Sequence, residues 1–214
     1  MTTRIILARH GESTVNVTAL ASDDHENNPL TELGRAQARA LGESLHGSAI
    51  SAVYTSPMQR ARETGAAVAA GLGLPIAVEQ GLEEIRVGIH AGERAPESLV
   101  RGLVDFRRWL AEEDLSHGYV GGENGFEVVA RASAALRAIA ARHPDETVLV
   151  VSHGGTISMT VPTLCHNVTL RSLHPRQLGN CDTVEVESDG ATWSCVAWVG
   201  HAPEDFDADE ESVA

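Results

Sequence analysis

The sequence contains no lysine: all 16 of its basic residues are arginine. This removes every mechanism that needs a side-chain primary amine, including Schiff-base chemistry, pyridoxal attachment, and the lysine of a P-loop or protein kinase. Any anion must be held by guanidinium forks, imidazolium or backbone N–H groups. Cysteine is scarce too. Cys165, Cys181 and Cys195 are odd in number, their spacings match no zinc or redox motif, and no disulfide is expected. A two-residue hairpin loop at Asp189-Gly190 would set Cys195 opposite Val184 and turn Cys181 to the other face. Long apolar runs are missing: Ile5-Ile6-Leu7-Ala8 is too short for a signal peptide, and Ala66 to Val78 is broken by Gly71, Gly73 and Pro75. A soluble, cytoplasmic chain is expected. Positive charge is in deficit, with a formal net charge of −14 in 214 residues. Six acids and no base lie in 202–214, which leaves −8 on the rest. Without a basic stripe, neither nucleic acid nor an anionic membrane is an expected partner. The acidic stretch 202–214 is expected to be a flexible tail.

What is present suits one domain over 1–201, with 43% apolar residues to fill its core. Ile5 to Ala8, stopped by Gly11, has the form of a buried strand. After the cap Thr31, the residues Leu33, Gln37, Leu41 and Ser44 repeat at helical spacing. Ala52 to Thr55 reads as a second strand, and Ser56-Pro57 places an N-cap and a first-turn proline on a helix running to Ala70. Leu99, Leu103, Phe106 and Leu110 form one helical face, and Phe126, Val129, Ser133, Leu136 and Ala140 form another. Thr147 to Val151 is the strongest strand, with a helix opening at Gly154. Thr183 to Glu187 and Thr192 to Val199 make a terminal hairpin. Alternating strands and helices predict a three-layer α/β/α sandwich with a mostly parallel central sheet and an antiparallel C-terminal strand. A helical insert over about 92–125 would cover the site. Asp23 to Asn28 is a polar loop that could join the rim.

In such a sheet, ligands bind beyond the carboxyl ends of the strands. The residues following the three strands there are Arg9-His10-Gly11-Glu12-Ser13, Ser56-Pro57-Met58-Gln59-Arg60-Ala61-Arg62 and Ser152-His153-Gly154-Gly155. Two histidines and at least two arginines therefore share one edge. Arg60 lies about one turn into its helix and can lean back over that edge. Glycine after each histidine would let a ligand approach closely. Arginines and the free N–H groups of helix starts suit a tetrahedral dianion. Neighbouring positive charge would keep a histidine neutral and nucleophilic.

Arg9-His10-Gly11 resembles the signature of the histidine phosphatase superfamily, also called phosphoglycerate-mutase-like. Asn16, Leu30 to Ala38, Ser56 to Thr64, Leu82-Glu83-Glu84, Gly121-Gly122-Glu123 and Val151 to Gly155 resemble the family's further motifs, in order. The resemblance implies a phosphomonoesterase of the histidine acid phosphatase kind that needs no metal or other cofactor. His10 would attack phosphorus, and water would then hydrolyse the phosphohistidine. Arg9, Arg60 and His153 would bind the phosphoryl oxygens, joined by Gly11, Gly154 and Asn16. Glu84 would act as general acid and then base, with Glu83 as the neighbouring alternative. That acid needs a proton near neutral pH, favoured by burial and a bound dianion and opposed by the arginines.

Each residue alone has an ordinary explanation. A single histidine is more often a satisfied core or surface group, Asn16 can be a turn residue, Arg60 can pair with Glu63 or Glu84, and Arg62 suits a surface pair. Two histidines and a carboxylate also suit a metal, but arginines on the same edge would repel a divalent cation. Within the family, the mutases have a Trp before the Asn that matches Asn16, whereas Val15 stands here. Glu83-Glu84-Ile85-Arg86-Val87-Gly88 likewise lacks the mutases' aromatic Glu-Arg-His-Tyr-Gly segment, which favours the phosphatases, although Gly88 to Glu93 and Asn124 also depart from the common phosphatase pattern where substrates are discriminated. The substrate expected is a small phosphorylated metabolite such as a sugar phosphate or phosphoglycerate. With few aromatics in the insert (Phe106, Trp109, Tyr119, Phe126), no stacking platform for a nucleobase is expected. A phosphotransferase of the mutase type and a catalytically silent phospholigand-binding module are the alternatives. A homodimer is left open.

Overall fold

The computed structural model describes residues 2–93, 108–173 and 176–206. Six strands, β1 (Thr3–Arg9), β2 (Ile50–Thr55), β3 (Ile76–Val78), β4 (Thr147–Ser152), β5 (Thr183–Ser188) and β6 (Trp193–Trp198), form one sheet in the order β3-β2-β4-β1-β5-β6. The β2–β3, β2–β4 and β1–β4 pairs are parallel, and β5 runs against both β1 and β6. The short β3 was not foreseen: its three residues sit behind Pro75 in a run too brief to show a period.

Side chains alternate across a strand, so each strand feeds two cores. Ile5 and Leu7 enter one cluster with Val148 and Val150, against the helices α4 (Gly125–Arg142) and α5 (Gly154–Leu164). Ile6 and Ala8 enter the other with Leu149 and Val151, against α2 (Glu32–Ser44) and α3 (Gln59–Leu72). The result is the expected three-layer sandwich. Val148 to Val151 are each 0% exposed, and burying a Val or Leu contributes about 1.5–3 kcal/mol. The short helices α1 (Thr14–Thr18) and α6 (Leu170–Leu173) are also present, and no helix among the described residues is long and apolar enough to cross a membrane.

Several local expectations are corrected. On α2 the buried residues are Gly34, Ala38, Leu41 and Gly42, while Leu33 is 54% exposed. The helix lies so close to its neighbours that small residues share the contact with Leu41, and Leu33 is left out of it. A Cβ on Gly34 would fall 1.9 Å from the Glu12 carbonyl oxygen. On α4 the buried face is Val128, Ala132, Ala135, Leu136, Ile139 and Ala140, leaving Phe126 exposed. In so alanine-rich a helix, two adjacent stripes satisfy the same period. The hairpin loop is four residues long, because Ser188 pairs with Trp193, so Cys195 stands opposite Val186 instead of Val184. Ser56-Pro57 does not start α3, whose N-cap is Met58. Of the helix expected over 99–110, residues 108–110 are helical and the remainder lies outside the described residues. Trp109, 0% exposed, fixes this part of the insert against Val128 and Met159. Part of the expected tail is built into the fold: Pro203–Asp205 form a 3-10 turn, and Phe206 is buried beneath the Arg176 guanidinium at 4.3 Å, while 207–214 lie outside the described residues.

Candidate active site

The segments leaving β1, β2 and β4 converge at the carboxyl edge of the sheet. The His10 amide donates to the Ser152 carbonyl at 3.0 Å and the Ser56 amide to the Val151 carbonyl at 2.9 Å, which locks the exits of neighbouring strands together. His10 and His153 are 4% and 0% exposed, with ring centroids 5.1 Å apart in an edge-to-face contact. At this separation the rings touch, so an anion fits along their nitrogen edges, not between their faces.

His10 Nδ1 lies 2.7 Å from the Gly11 carbonyl oxygen. A carbonyl only accepts, so Nδ1 carries the proton and Nε2 keeps its lone pair. Arg60 Nε donates to that Nε2 at 3.1 Å. Burial holds His10 well below the usual 6.5, and Arg60 and Arg9 add to the effect. His153 is lowered in the same way, by burial first and then by Arg60. The expected neutrality is present, but low dielectric contributes more to it than neighbouring charge.

Arg60 is 3% exposed, and its Nη1 has no hydrogen-bond partner among the described residues. His153 Nδ1 is likewise buried and unpartnered, while its Nε2 meets Ser56 Oγ at 2.8 Å. Ser56 Oγ also accepts from the Met58 amide at 3.2 Å. The residue read as a helix cap therefore serves the second histidine. Arg9 lies across the start of α5, where a Cβ on Gly154 would come within 3.3 Å of Arg9 Cδ, and its Nη1 donates to the Leu178 carbonyl. Gly154 thus makes room for a protein side chain. Gly11 makes room for backbone, since a Cβ there would stand 2.5 Å from the Gly34 carbonyl oxygen. The Gly11 amide donates to Thr64 Oγ1 at 3.0 Å, so it is committed within the protein and is not the phosphate contact expected of it.

Glu84 turns its carboxylate onto the first turn of α5. Oε1 accepts from the Ile85 and Thr156 amides, both at 3.0 Å, and Oε2 from the Gly155 amide at 3.2 Å. Of the first three amides of α5, Glu84 takes two, and Gly154 is the remaining one. The charge of Glu84 acts on Arg60. Glu83 instead turns towards Arg131, at 3.8 Å. Asn16 Oδ1 accepts from the Ser13 amide at 3.0 Å, the turn role that was its ordinary alternative. Arg62 makes the expected surface pair, with Glu26 at 2.6 Å. The polar loop is tied to the segment after Glu84: the Asp23 carboxylate accepts from the Val87 and Gly88 amides at 2.9 and 3.2 Å.

Asn180 escaped the sequence reading. Its Nδ2 donates to the His10 carbonyl at 3.0 Å and approaches Asn16 Oδ1 at 3.4 Å. The signal was topological. An antiparallel β5 begins where β1 ends, so the residues before β5 must arrive at this edge.

Fold and site together define a class: an α/β protein with two buried imidazoles and arginine over the carboxyl edge of its sheet. The family model of the histidine phosphatase superfamily (branch 1) matches residues 5–200, and the chain belongs to that superfamily. It is similar to "Phosphoserine phosphatase 1" of Hydrogenobacter thermophilus, 32% identical over 154 residues and covering 70% of each chain. It is also similar to "Probable phosphoglycerate mutase GpmB" of Erwinia tasmaniensis, 26% identical over 196 residues, 92% of this chain and 90% of that one. Among solved structures, Bacillus stearothermophilus YhfR superposes with a TM-score of 0.79 at 31% identity, covering 94% of this chain and 98% of that one.

Proposed function

We propose that the protein hydrolyses a phosphomonoester of a small metabolite through a phosphohistidine on His10, without a metal. The observation that carries this is a buried guanidinium resting on the lone-pair nitrogen of a neutral histidine, with Arg60 Nη1 and His153 Nδ1 beside it unpartnered. Buried polar groups without partners are costly, and the oxygens of a phosphoryl group would satisfy the guanidinium and the imidazole N–H. The positive charge of Arg60 beside His10 Nε2 would repel a divalent cation, which favours an anion over a metal there.

In this reading His10 Nε2 attacks phosphorus, the N–P bond forms, and the P–O bond to the leaving group breaks. Arg9, Arg60, His153 and the Gly154 amide stabilise the equatorial oxygens. The amide NH2 of Asn16 is the neutral donor left for the phosphate. Glu84 gives its proton to the departing alkoxide. It then takes a proton from water as that water attacks phosphorus, breaking the N–P bond and restoring the imidazole. The phosphatase relative favours water as acceptor, and the mutase relative keeps a second substrate hydroxyl as the alternative.

The test is release of phosphate from p-nitrophenyl phosphate in the presence of a chelator, together with rapid quench into alkaline denaturant, where phosphohistidine survives. Label should appear on His10 and be lost in His10→Ala along with turnover. Undiminished turnover in His10→Ala removes the histidine mechanism. A panel of phosphorylated metabolites, run with and without a bisphosphorylated primer, identifies the acceptor. Glu84→Gln should lower kcat/KM by ~10²-fold or more for esters with poor leaving groups, the scale of general acid catalysis.

A further inference from the structure

The Gly121-Gly122-Glu123 motif has no part in the chemistry above, yet Glu123 is a carboxylate only 2% exposed. A buried ion pair is weak evidence for stability, because desolvation offsets much of the attraction. Its geometry shows another task. Arg131, on α4, uses all five of its N–H donors. Nε and Nη2 bind the two oxygens of Glu123 at 2.7 and 2.9 Å. Nη1 donates to the carbonyls of Gly81 and Glu83, each at 2.8 Å, and Nη2 to the carbonyl of Glu84 at 3.2 Å. Glu123 Oε2 also accepts from the Arg86 amide at 2.9 Å. The chain is thus gripped before, at and after Glu84. The same segment is tied to the residues flanking His153: Ser152 Oγ donates to the Leu82 carbonyl at 2.8 Å and Thr156 Oγ1 to the Glu83 carbonyl at 2.6 Å.

We infer that Arg131 and Glu123 are positioning residues for Glu84, holding its backbone so that its carboxyl reaches the leaving-group oxygen while neither residue touches substrate. This rests on the acid role proposed above. Lysine offers three donors and no planar fork, so it cannot satisfy three carbonyls and a bidentate carboxylate together. Gln at 123 keeps the shape but puts an NH2 where Arg131 or the Arg86 amide needs an acceptor.

The experiment compares kcat/KM for p-nitrophenyl phosphate and phenyl phosphate, two aryl esters of similar size that differ in how much proton the leaving oxygen needs. It uses the full chain as wild type, Arg131→Lys, Glu123→Gln, Glu84→Gln, and each of the first two combined with Glu84→Gln. Arg131→Lys and Glu123→Gln should each lower phenyl phosphate turnover at least about tenfold more than p-nitrophenyl phosphate turnover, as expected for loss of general acid catalysis. On the Glu84→Gln background they should add no further discrimination, the coupling expected of groups that act through one another. Equal losses on both esters, or losses that add in full on that background, overturn the positioning role. Glu84→Gln failing to discriminate the esters overturns the acid assignment itself, and the positioning role with it, so the two failures are distinct. If Arg131→Lys does not fold, the isosteric Glu123→Gln carries the test.

Discussion

Lowering the pH from 7.5 to 5.5 should destabilise this protein through its two site histidines. Both are held well below the usual 6.5 by burial, so the folded state keeps them neutral while the unfolded chain takes up protons. Stability rises with pH wherever the unfolded state binds more protons. The contribution is therefore intact above 6.5 and is lost progressively below it. At pH 5.5, one unit below the unfolded value, each histidine that stays neutral in the fold costs about 1.4 kcal/mol, and the pair about 3 kcal/mol. Glu123 acts in the same direction at lower pH. Burial raises its carboxyl, but the Arg131 guanidinium and the Arg86 amide outweigh this and hold it below 4.5, so its contribution is lost only as pH falls through the acid range. Keeping to pH 5.5 and above separates the two effects. The assay is urea unfolding in phosphate-free buffer at pH 7.5, 6.5 and 5.5, on wild type, His10→Gln and the double variant with His153→Asn. The pH dependence is compared instead of the absolute stability, so the packing cost of each substitution cancels. Wild type should lose about 1.4 kcal/mol more than His10→Gln over this range, and about 3 kcal/mol more than the double variant. Identical slopes in all three proteins would mean that the histidines charge in the folded state, and the neutral-nucleophile argument would fall.

Two further outcomes follow from packing. Gly34→Ala forces a Cβ to 1.9 Å from the Glu12 carbonyl oxygen, where backbone must shift; a loss of about 1–3 kcal/mol or more is expected, read as a fall in Tm, because overpacking costs this much. Phe206→Ala should cost about 3–5 kcal/mol, the usual range for a buried Phe, and should speed exchange of the Trp198 indole N–H, which donates to the Arg176 carbonyl at 3.0 Å in the same cluster; unchanged exchange would show that this ring does not shield that bond.

The sequence by itself determined the layer architecture. β4 is uninterrupted Val-Leu-Val-Val because both of its faces are covered, and a run buried on both sides has that appearance in any context. It also placed His10, Arg60 and His153 on one edge, since parallel strands deliver the residues that follow them to the same side. What it could not decide was which neighbour each group would choose. Leu33 fits the helical stripe of α2, yet Gly34 faces inward, because the contact distance to Glu12 comes from the segment that leaves β1 and packs against the helix. Gly11 and Gly154 look like openings for a ligand, but a carbonyl and an arginine occupy those directions. Ser56 has the form of a helix cap and bonds His153 instead. Asn180 lies 170 residues from His10 in the chain, a separation at which no local pattern operates. Arg131 reads as one polar position on an amphipathic helix, and only the folded chain brings the three carbonyls around Glu84 within its reach. Periodicity reports which face is apolar. Hydrogen-bond partners are settled by competition among all groups that the folded backbone brings close, and that competition has no counterpart in the linear order of residues.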